Sequence, residues 1–282
     1  SPFLQFNSFP NLDTNVPPEE WITHFGKIFN DPKPLDELAP IQVTGPELAS
    51  RVAITLDETQ RALEKSAKGK AAGPDNAHDD IYKSNIALWA PILTLVFNMI
   101  QRGNYPAIWV KSIISSIFKK GKRHDPSCYH PISLLDGSAK IWVRVVLERL
   151  EEWVADQHIL SDVQNGFRSG WGTQEQCINL TLLIGKYTVA KPGTLHMCFV
   201  DLSSTFDFVN HHKLLTTLKD VGAPSSIISL LDNMYSNLTS CERYRKQGEL
   251  TDSFKVTHGV RQGCVLAPLQ FSLYIDGVVR EL

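Results

Sequence analysis

The amino-acid sequence predicts an α+β fold, with helices packed on a small, mostly antiparallel sheet, and three observations point to it. Apolar residues recur at helical spacing in several stretches, as with Trp21, Phe25 and Phe29. Two stretches read as β: the β-branched run SIISSIF at 112–118 and a hairpin across 238–256. LHMCFVDL at 195–202 is a nearly continuous apolar run ending in an acid, as expected of a buried central strand whose C-terminal end opens onto a site.

In chain order, residues 18–29 form an amphipathic docking helix, and the Pro- and Asp-rich stretch 30–46 reads as a linker. TLDE at 55–58 is a capping box, with Thr55 as N-cap and Glu58 reaching back, ahead of a helix to about Ser66. A turn, KGKAAGPD, follows, and then residues 79–102 read as a helix interrupted at Pro91. Apolar positions 141, 145, 146, 150 and 153 mark a helix over 138–157, and another fits 173–189. Helices are expected from His211, from Pro224 and from Pro268.

Composition narrows the function classes. With 282 residues, 43% hydrophobic and 21% charged, the chain can bury a substantial core. Lys and Arg number 28 against 30 Asp and Glu, so any nucleic-acid binding must come from a local basic groove. The longest apolar run, 88–100, is too short to span a bilayer and contains Pro91, so no membrane span is expected. The opening SPFLQFNSFP lacks a basic n-region and reads as an internal start, not a signal peptide. Five widely spaced cysteines fit neither a zinc site nor a disulfide framework and favour a reducing, intracellular setting, nuclear or cytoplasmic, not secreted. The sequons at Asn179 and Asn237 are read as chance.

The chemistry is concentrated in FVDLSSTFDFV. Asp201 stands where an apolar strand ends, and an unpartnered carboxylate there is costly unless a cation or a helix cap satisfies it. From this segment alone, a metal ligand and an N-cap are equal readings. The segment THGVRQGCVLAPLQFSLYID joins a turn bearing Gly, Arg and Gln to an apolar helix.

Taken with KGKAAGPD, IFKKGKRHDPSCYHPISLL and QNGFRSGWGTQEQ in this order, these blocks resemble the reverse transcriptase domain of non-LTR (LINE-type) retrotransposons across residues 18–282. That resemblance implies a right-hand polymerase. Residues 1–46 would be the docking helix and linker, 47–190 a fingers-like region with palm connections, and 191–282 a partial palm. Two Mg²⁺ ions would activate the primer 3′-hydroxyl and stabilise the leaving pyrophosphate, with an RNA template, a DNA primer and a deoxynucleoside triphosphate as partners. Asp201 would be the catalytic metal ligand, joined by the backbone carbonyl of Leu202. Lys119, Lys120, His130, Phe206, Arg261, Gln262 and Gly263 would meet the nucleotide, with Lys122 and Arg123 extending the basic run. Phe206 would lie beneath the incoming sugar. Gln164, Asn165, Gly166, Phe167 and Arg168 would lie along the template, and Asp207 is expected to be a structural hydrogen-bond acceptor.

Several positions depart from the family pattern. His130 replaces an arginine expected to grip the triphosphate, and a largely neutral imidazole cannot reproduce that fork. Ala72, Asn76 and Gln270 also differ, and a buried, unpaired Gln270 would cost about 1–3 kcal/mol. The family's next block supplies two adjacent aspartates after an aromatic residue, and none follows here. Asp79 and Asp80 read as a first-turn acidic cap. With one of three aspartates, the polypeptide as given is expected not to polymerise. A catalytically dead nucleic-acid-binding module and a non-functional relic are the competing readings.

Overall fold

A computed structural model describes residues 16–30, 53–168, 170–190, 195–202, 204–244 and 249–281. It is an α+β structure, as the sequence predicts. Helix α1 (Pro18–Phe29) buries the expected Trp21, Phe25 and Phe29 as an aromatic ladder, with ring centroids 5.7 Å and 5.8 Å apart. The linker expected over 30–46 lies almost entirely outside the described residues.

Helix α2 (Leu56–Lys65) begins with the expected capping box. The Thr55 hydroxyl accepts from the Glu58 amide at 3.2 Å, and the Glu58 carboxylate accepts from the Thr55 amide at 2.7 Å. Arg149 also donates to Glu58 at 2.6 Å. Burial opposes ionisation of this carboxyl, but Arg149 and Thr55 outweigh it and hold its pKa down to about 2.

The break expected at Pro91 falls elsewhere. Helix α3 (Asp79–Ser84) stops at Asn85, whose side chain caps α4 (Ile86–Gln101) by accepting from the Leu88 amide at 3.2 Å. Pro91 lies inside α4, because a proline in the second turn removes only one donor whereas a competing cap starts a new helix.

A short 3₁₀ turn (Ala107–Val110) leads into β1 (Lys111–Phe118), which pairs antiparallel with β2 (Tyr129–Leu134) and parallel with β3 (Thr239–Arg243). Strand β4 (Phe254–Lys255) closes the sheet antiparallel to β3, giving the order β2-β1-β3-β4. The register places Ser112, Ile114 and Ser116 of β1, Pro131 and Ser133 of β2, and Ser240 and Glu242 of β3 on one face. Helix α1 covers that face: Trp21 packs edge-on against Tyr129 at 5.1 Å, and Phe29 approaches Ser112 and Ser240.

Helix α5 (Gly137–Asp156) buries Ile141, Val145, Val146 and Leu150, the stripe read from its spacing. Helices α7 (His211–Asp220), α8 (Ser225–Tyr235) and α9 (Ala267–Glu281) likewise form where expected and add Leu214, Leu231 and Leu273 to the same core. Among the described residues no helix is long and apolar enough to cross a membrane.

Two stretches are unlike the rest of the fold. Helix α6 (Thr173–Gly185), followed by a π-turn at Lys186–Ala190, forms as a helix but buries none of its described side chains. Residues 195–202, expected as a buried central strand, are irregular and exposed, with Phe199 80% and Val200 76% accessible. An apolar run becomes a buried strand only when ladder partners and covering layers exist, and among the described residues this one has neither.

Candidate functional site

The site is organised around the turn after His258. Gly259 has φ +88°, and a Cβ there would lie 3.0 Å from the Asp207 carbonyl oxygen. The chain can therefore run close against 206–209: the Gly259 amide donates to Val209 O at 2.8 Å and the Val260 amide to Phe206 O at 2.8 Å. On its other side the turn meets β2. The Ser133 amide donates to Gln262 O at 2.7 Å, and a Cβ on Gly263, at φ +107°, would sit 2.9 Å from Ser133 O.

Gln262 donates from Nε2 to the carboxylate of Asp207, which is 5% exposed. Asp207 is thus placed as the structural acceptor the sequence suggested. Burial raises its pKa, and Gln262, His130 and Lys119 pull it back. His130 and Lys119 act on this carboxyl from β2 and from the end of β1, so the basic hairpin faces the turn. Lys119, Lys120, Lys122 and Arg123 are exposed there, with Arg123 stacked over Phe118 at 5.1 Å.

Arg261 is placed differently from the phosphate- or base-contacting residue that was expected. It is 6% exposed, and its guanidinium donates to Trp109 O and Met234 O at 3.1 Å, joining the lead-in to β1, α8 and the turn. A planar, multi-donor guanidinium suits such a bridge between two carbonyls. Next to it, burial lowers the His211 pKa to about 4, and the neutral ring donates from Nε2 to Gly259 O at 2.8 Å. Gln270 is fully buried; its Oε1 accepts from Tyr235 at 2.7 Å while Nε2 lacks a partner, so the feared penalty is halved rather than avoided.

Phe206 packs against Phe271 at 5.1 Å and edge-on against Phe167 at 5.9 Å, bringing the 164–168 block beside the 201–207 block. Phe167 is in the left-handed region at φ 58° and is exposed. The Gly166 carbonyl accepts from Ser272 at 3.3 Å. Arg168 donates to Ser161 O at 3.3 Å and stacks over Trp171 at 5.6 Å, and Gln164 is half-buried.

Asp201 and Leu202 stand apart from this order. Asp201 is exposed, on irregular chain, and makes no hydrogen bond or ion pair among the described residues; Leu202 O accepts only from Thr205 at 2.8 Å. A hard cation needs several oxygen ligands, and no group of three or more His, Cys, Asp or Glu side chains among the described residues could hold one. The carboxylates present therefore do not by themselves assemble a two-Mg²⁺ site.

A cleft of about 410 Å³ opens beside the turn on the other face of β1 and β2. Ile117, Ile132 and Leu134 form its floor, Gly263 to Val265 one wall, and Lys70, Lys140 and Arg144 bring positive charge. Sequence reasoning did not single out these three cations or Phe271. The KGKAAGPD block supplies the far wall. It is clipped to the β2–α5 junction because a Cβ on Gly73 would collide with the Leu135 and Asp136 main chain, and because Lys140 donates to Ala71 O at 2.9 Å. Asp79 and Asp80 lie in the first turn of α3 without a side-chain cap bond to its amides; Asp79 instead pairs with Lys140 at 3.3 Å, and Asp80 accepts from the Gly69 amide.

Comparison with known proteins supplies the family. Residues 117–282 match the model for "Reverse transcriptase (RNA-dependent DNA polymerase)". The chain is 30% identical over 246 residues to a probable RNA-directed DNA polymerase from transposon BS of Drosophila melanogaster, covering 85% of this chain and 26% of that protein. It is 31% identical to the corresponding protein from transposon X-element of the same species, over 77% of this chain and 24% of that protein. It is 27% identical to a Pol polyprotein from the type-1 retrotransposable element R2 of Nasonia vitripennis, over 77% and 20%. The chain thus spans about a quarter of the length of these relatives. A family match over more than half the chain, together with these retrotransposon relatives, establishes that this chain belongs to the reverse transcriptase family, in its LINE-type retrotransposon branch.

Proposed function

We propose that this chain supplies the fingers and the first part of the palm of an RNA-directed DNA polymerase, residues 47–190 forming the former and 191–282 the latter. The observation that carries this reading is the Val260–Gly263 turn, which is bonded to β2 on one side and to Phe206 and Asp207 on the other. The basic hairpin, the aromatic at 206 and the cationic cleft thereby converge on one place.

On this reading a single strand of RNA template lies in the cleft over Ile117 and Ile132, with phosphates toward Lys70, Lys140 and Arg144. Lys119 and Lys120 meet the triphosphate of an incoming deoxynucleotide. Lys140 already neutralises Asp79, so Lys70 and Arg144 carry most of the attraction. The divalent ions of the family reaction would need carboxylates in addition to Asp201.

Residues 195–202 gain a strand partner, and Asp201 its companions, when the chain continues into an aromatic-x-Asp-Asp block. A primer-extension assay with Mg²⁺ on this chain and on such a continued version tests the reading. Activity in the continued version alone supports it; activity in neither overturns it.

The exposed, unpartnered Asp201 favours one second reading, a binding module without chemistry. Single-stranded RNA would then bind with a normal salt dependence while both versions stay silent in primer extension.

A further inference from the structure

The sheet face beneath α1 holds an unusual set of polar groups. Glu242 is fully buried on β3. The Ser116 hydroxyl lies beside it on the neighbouring strand, yet neither carboxyl oxygen nor that hydroxyl completes a hydrogen bond of normal geometry. Trp21 Nε1, brought to the same face by α1, is also buried without a partner. Closing α1 over this face therefore withdraws polar atoms from water while α1 supplies no side-chain hydrogen bond in exchange, leaving Ser116 as the carboxyl's weak local partner, which is costly for a neutral group and far more so for an ionised carboxylate.

The far end of α1 is tied directly to the candidate site. Phe29 O accepts from the Thr257 amide at 2.7 Å, the His258 amide at 3.0 Å and the Thr257 hydroxyl at 3.2 Å. That hydroxyl contacts His258 Nδ1 at 3.0 Å, and His258 Nε2 contacts Asn210 Nδ2 at 2.9 Å. The Phe29 ring would also meet a Cβ on Gly259 at 3.2 Å. Residues 257–259 lead immediately into the Val260–Gly263 turn, so the position of α1 and the seating of that turn are mechanically joined.

We propose that α1 is a pH-sensitive clasp, which holds the Val260–Gly263 turn against its supports while Glu242 is neutral and loosens from the sheet as that carboxyl ionises. The charged and titratable groups on the elements packed here are Glu19, Glu20, His24 and Lys27 of α1, Lys111 of β1, Asp125 and His130 before and within β2, Cys241 and Arg243 of β3, Lys255 of β4 and His258 beyond it. Only Arg243 among them acts on Glu242; burial is the largest influence and raises the pKa well above the ordinary carboxyl value, against the opposing pull of Ser116 and Arg243.

The sign follows from linkage. The docked state retains a proton that the undocked state gives up, so docking is full strength below the ordinary carboxyl pKa and weakens as pH rises toward the raised one, by up to about tenfold per pH unit. His24 acts in the opposite sense: burial lowers its pKa, Asp125 and Lys27 pulling in opposing directions, so docking strengthens as pH rises to the free imidazole value of about 6.5 and is unaffected beyond it. Above about pH 6.5 His24 no longer contributes, and the difference between wild type and Glu242→Gln isolates the Glu242 effect from any change at His258.

Amide hydrogen exchange on the full chain between about pH 6.5 and 8.5 tests this, reading α1 amides against those of Val145 to Leu150 in α5, which cancels intrinsic rate changes. The expected result is a fall in the α1 ratio as pH rises, by at most about tenfold per unit. The amides of Thr257 and His258 should follow it, and Glu242→Gln should flatten the profile. Parallel slopes in wild type and Glu242→Gln, or α1 changing in step with α5, overturn the clasp. Thr257 and His258 remaining fixed while α1 loosens overturns its link to the turn. Should Glu242→Gln fail to fold, the wild-type comparison of α1 with α5 decides, and a flat α1 ratio overturns the proposal. None of these readouts depends on polymerase activity.

Discussion

Residues 205–281 and residues 171–202 are both rich in apolar side chains, and they meet opposite fates. In the first region α8 alone buries Ile227, Ile228, Leu230, Leu231, Met234 and Tyr235, and the Arg261 and His211 contacts fasten its helices to the turn. In the second, Ile178 is 59% and Leu182 66% exposed, and Phe199 and Val200 are more exposed still. An apolar pattern states a demand for partners, and burial requires that the partners exist. One region finds its partners within the chain, whereas the apolar side chains of the other stay exposed among the described residues.

Truncating each region separates them most sharply. Leu231→Ala, at a fully buried position, should cost about 2–5 kcal/mol in urea unfolding, while Leu182→Ala should stay within about 0.5 kcal/mol. Equal losses would mean that α6 is buried in solution.

The Arg261 bridge should show the next largest effect. Arg261→Met leaves the Trp109 and Met234 carbonyls unpaired and should destabilise by about 2–4 kcal/mol by chemical denaturation. A neutral result would restore the guanidinium to a solvent-facing, ligand-contacting role.

Glycines give a pair of opposite sign. Gly263→Ala places a Cβ at positive φ against Ser133 O and should cost more than about 1 kcal/mol, whereas Gly277→Ala, with open space in α9, should stabilise by about 0.5–1 kcal/mol. Thermal melts of both variants check the contrast.

The smallest effect depends on pH. Burial raises the Asp136 pKa to about 6; the Asp75 amide donates to it at 2.9 Å and lowers it, while the Asp75 carboxyl raises it. The folded form thus prefers this group protonated, and its contribution is lost as pH rises from about 4 through 6. Asp136→Asn keeps an acceptor for the Asp75 amide and adds a neutral donor. It should flatten this dependence and stabilise by about 1 kcal/mol at pH 7, as read from denaturation midpoints across pH 4–8.

Much of the fold was legible because its cues are local. The Thr55 and Glu58 box, the 141–150 stripe and the SIISSIF run each specify an element from neighbouring residues, and each element forms there. Asn85 overrode Pro91 because a capping side chain competes more strongly than one missing donor, a contest that composition alone does not rank. At the site, the juxtaposition of Gln262 with Asp207 and of Phe206 with Phe167 joins blocks far apart in the chain, and order alone could suggest that proximity without giving its geometry. The burial of Arg261 was not legible for the same reason: whether a guanidinium faces solvent or a carbonyl depends on neighbours that the fold brings.

By itself, then, the sequence determined the helices, the hairpin and the family to which this chain belongs, since periodicity, capping and ordered blocks are carried by residues close in the chain. The tertiary structure alone decided that Arg261 is buried, that Glu242 is buried on the sheet face beneath α1, and that 195–202 is exposed. Each of these is a question of which distant groups arrive to exclude water and satisfy a hydrogen bond, and no local pattern encodes that arrival.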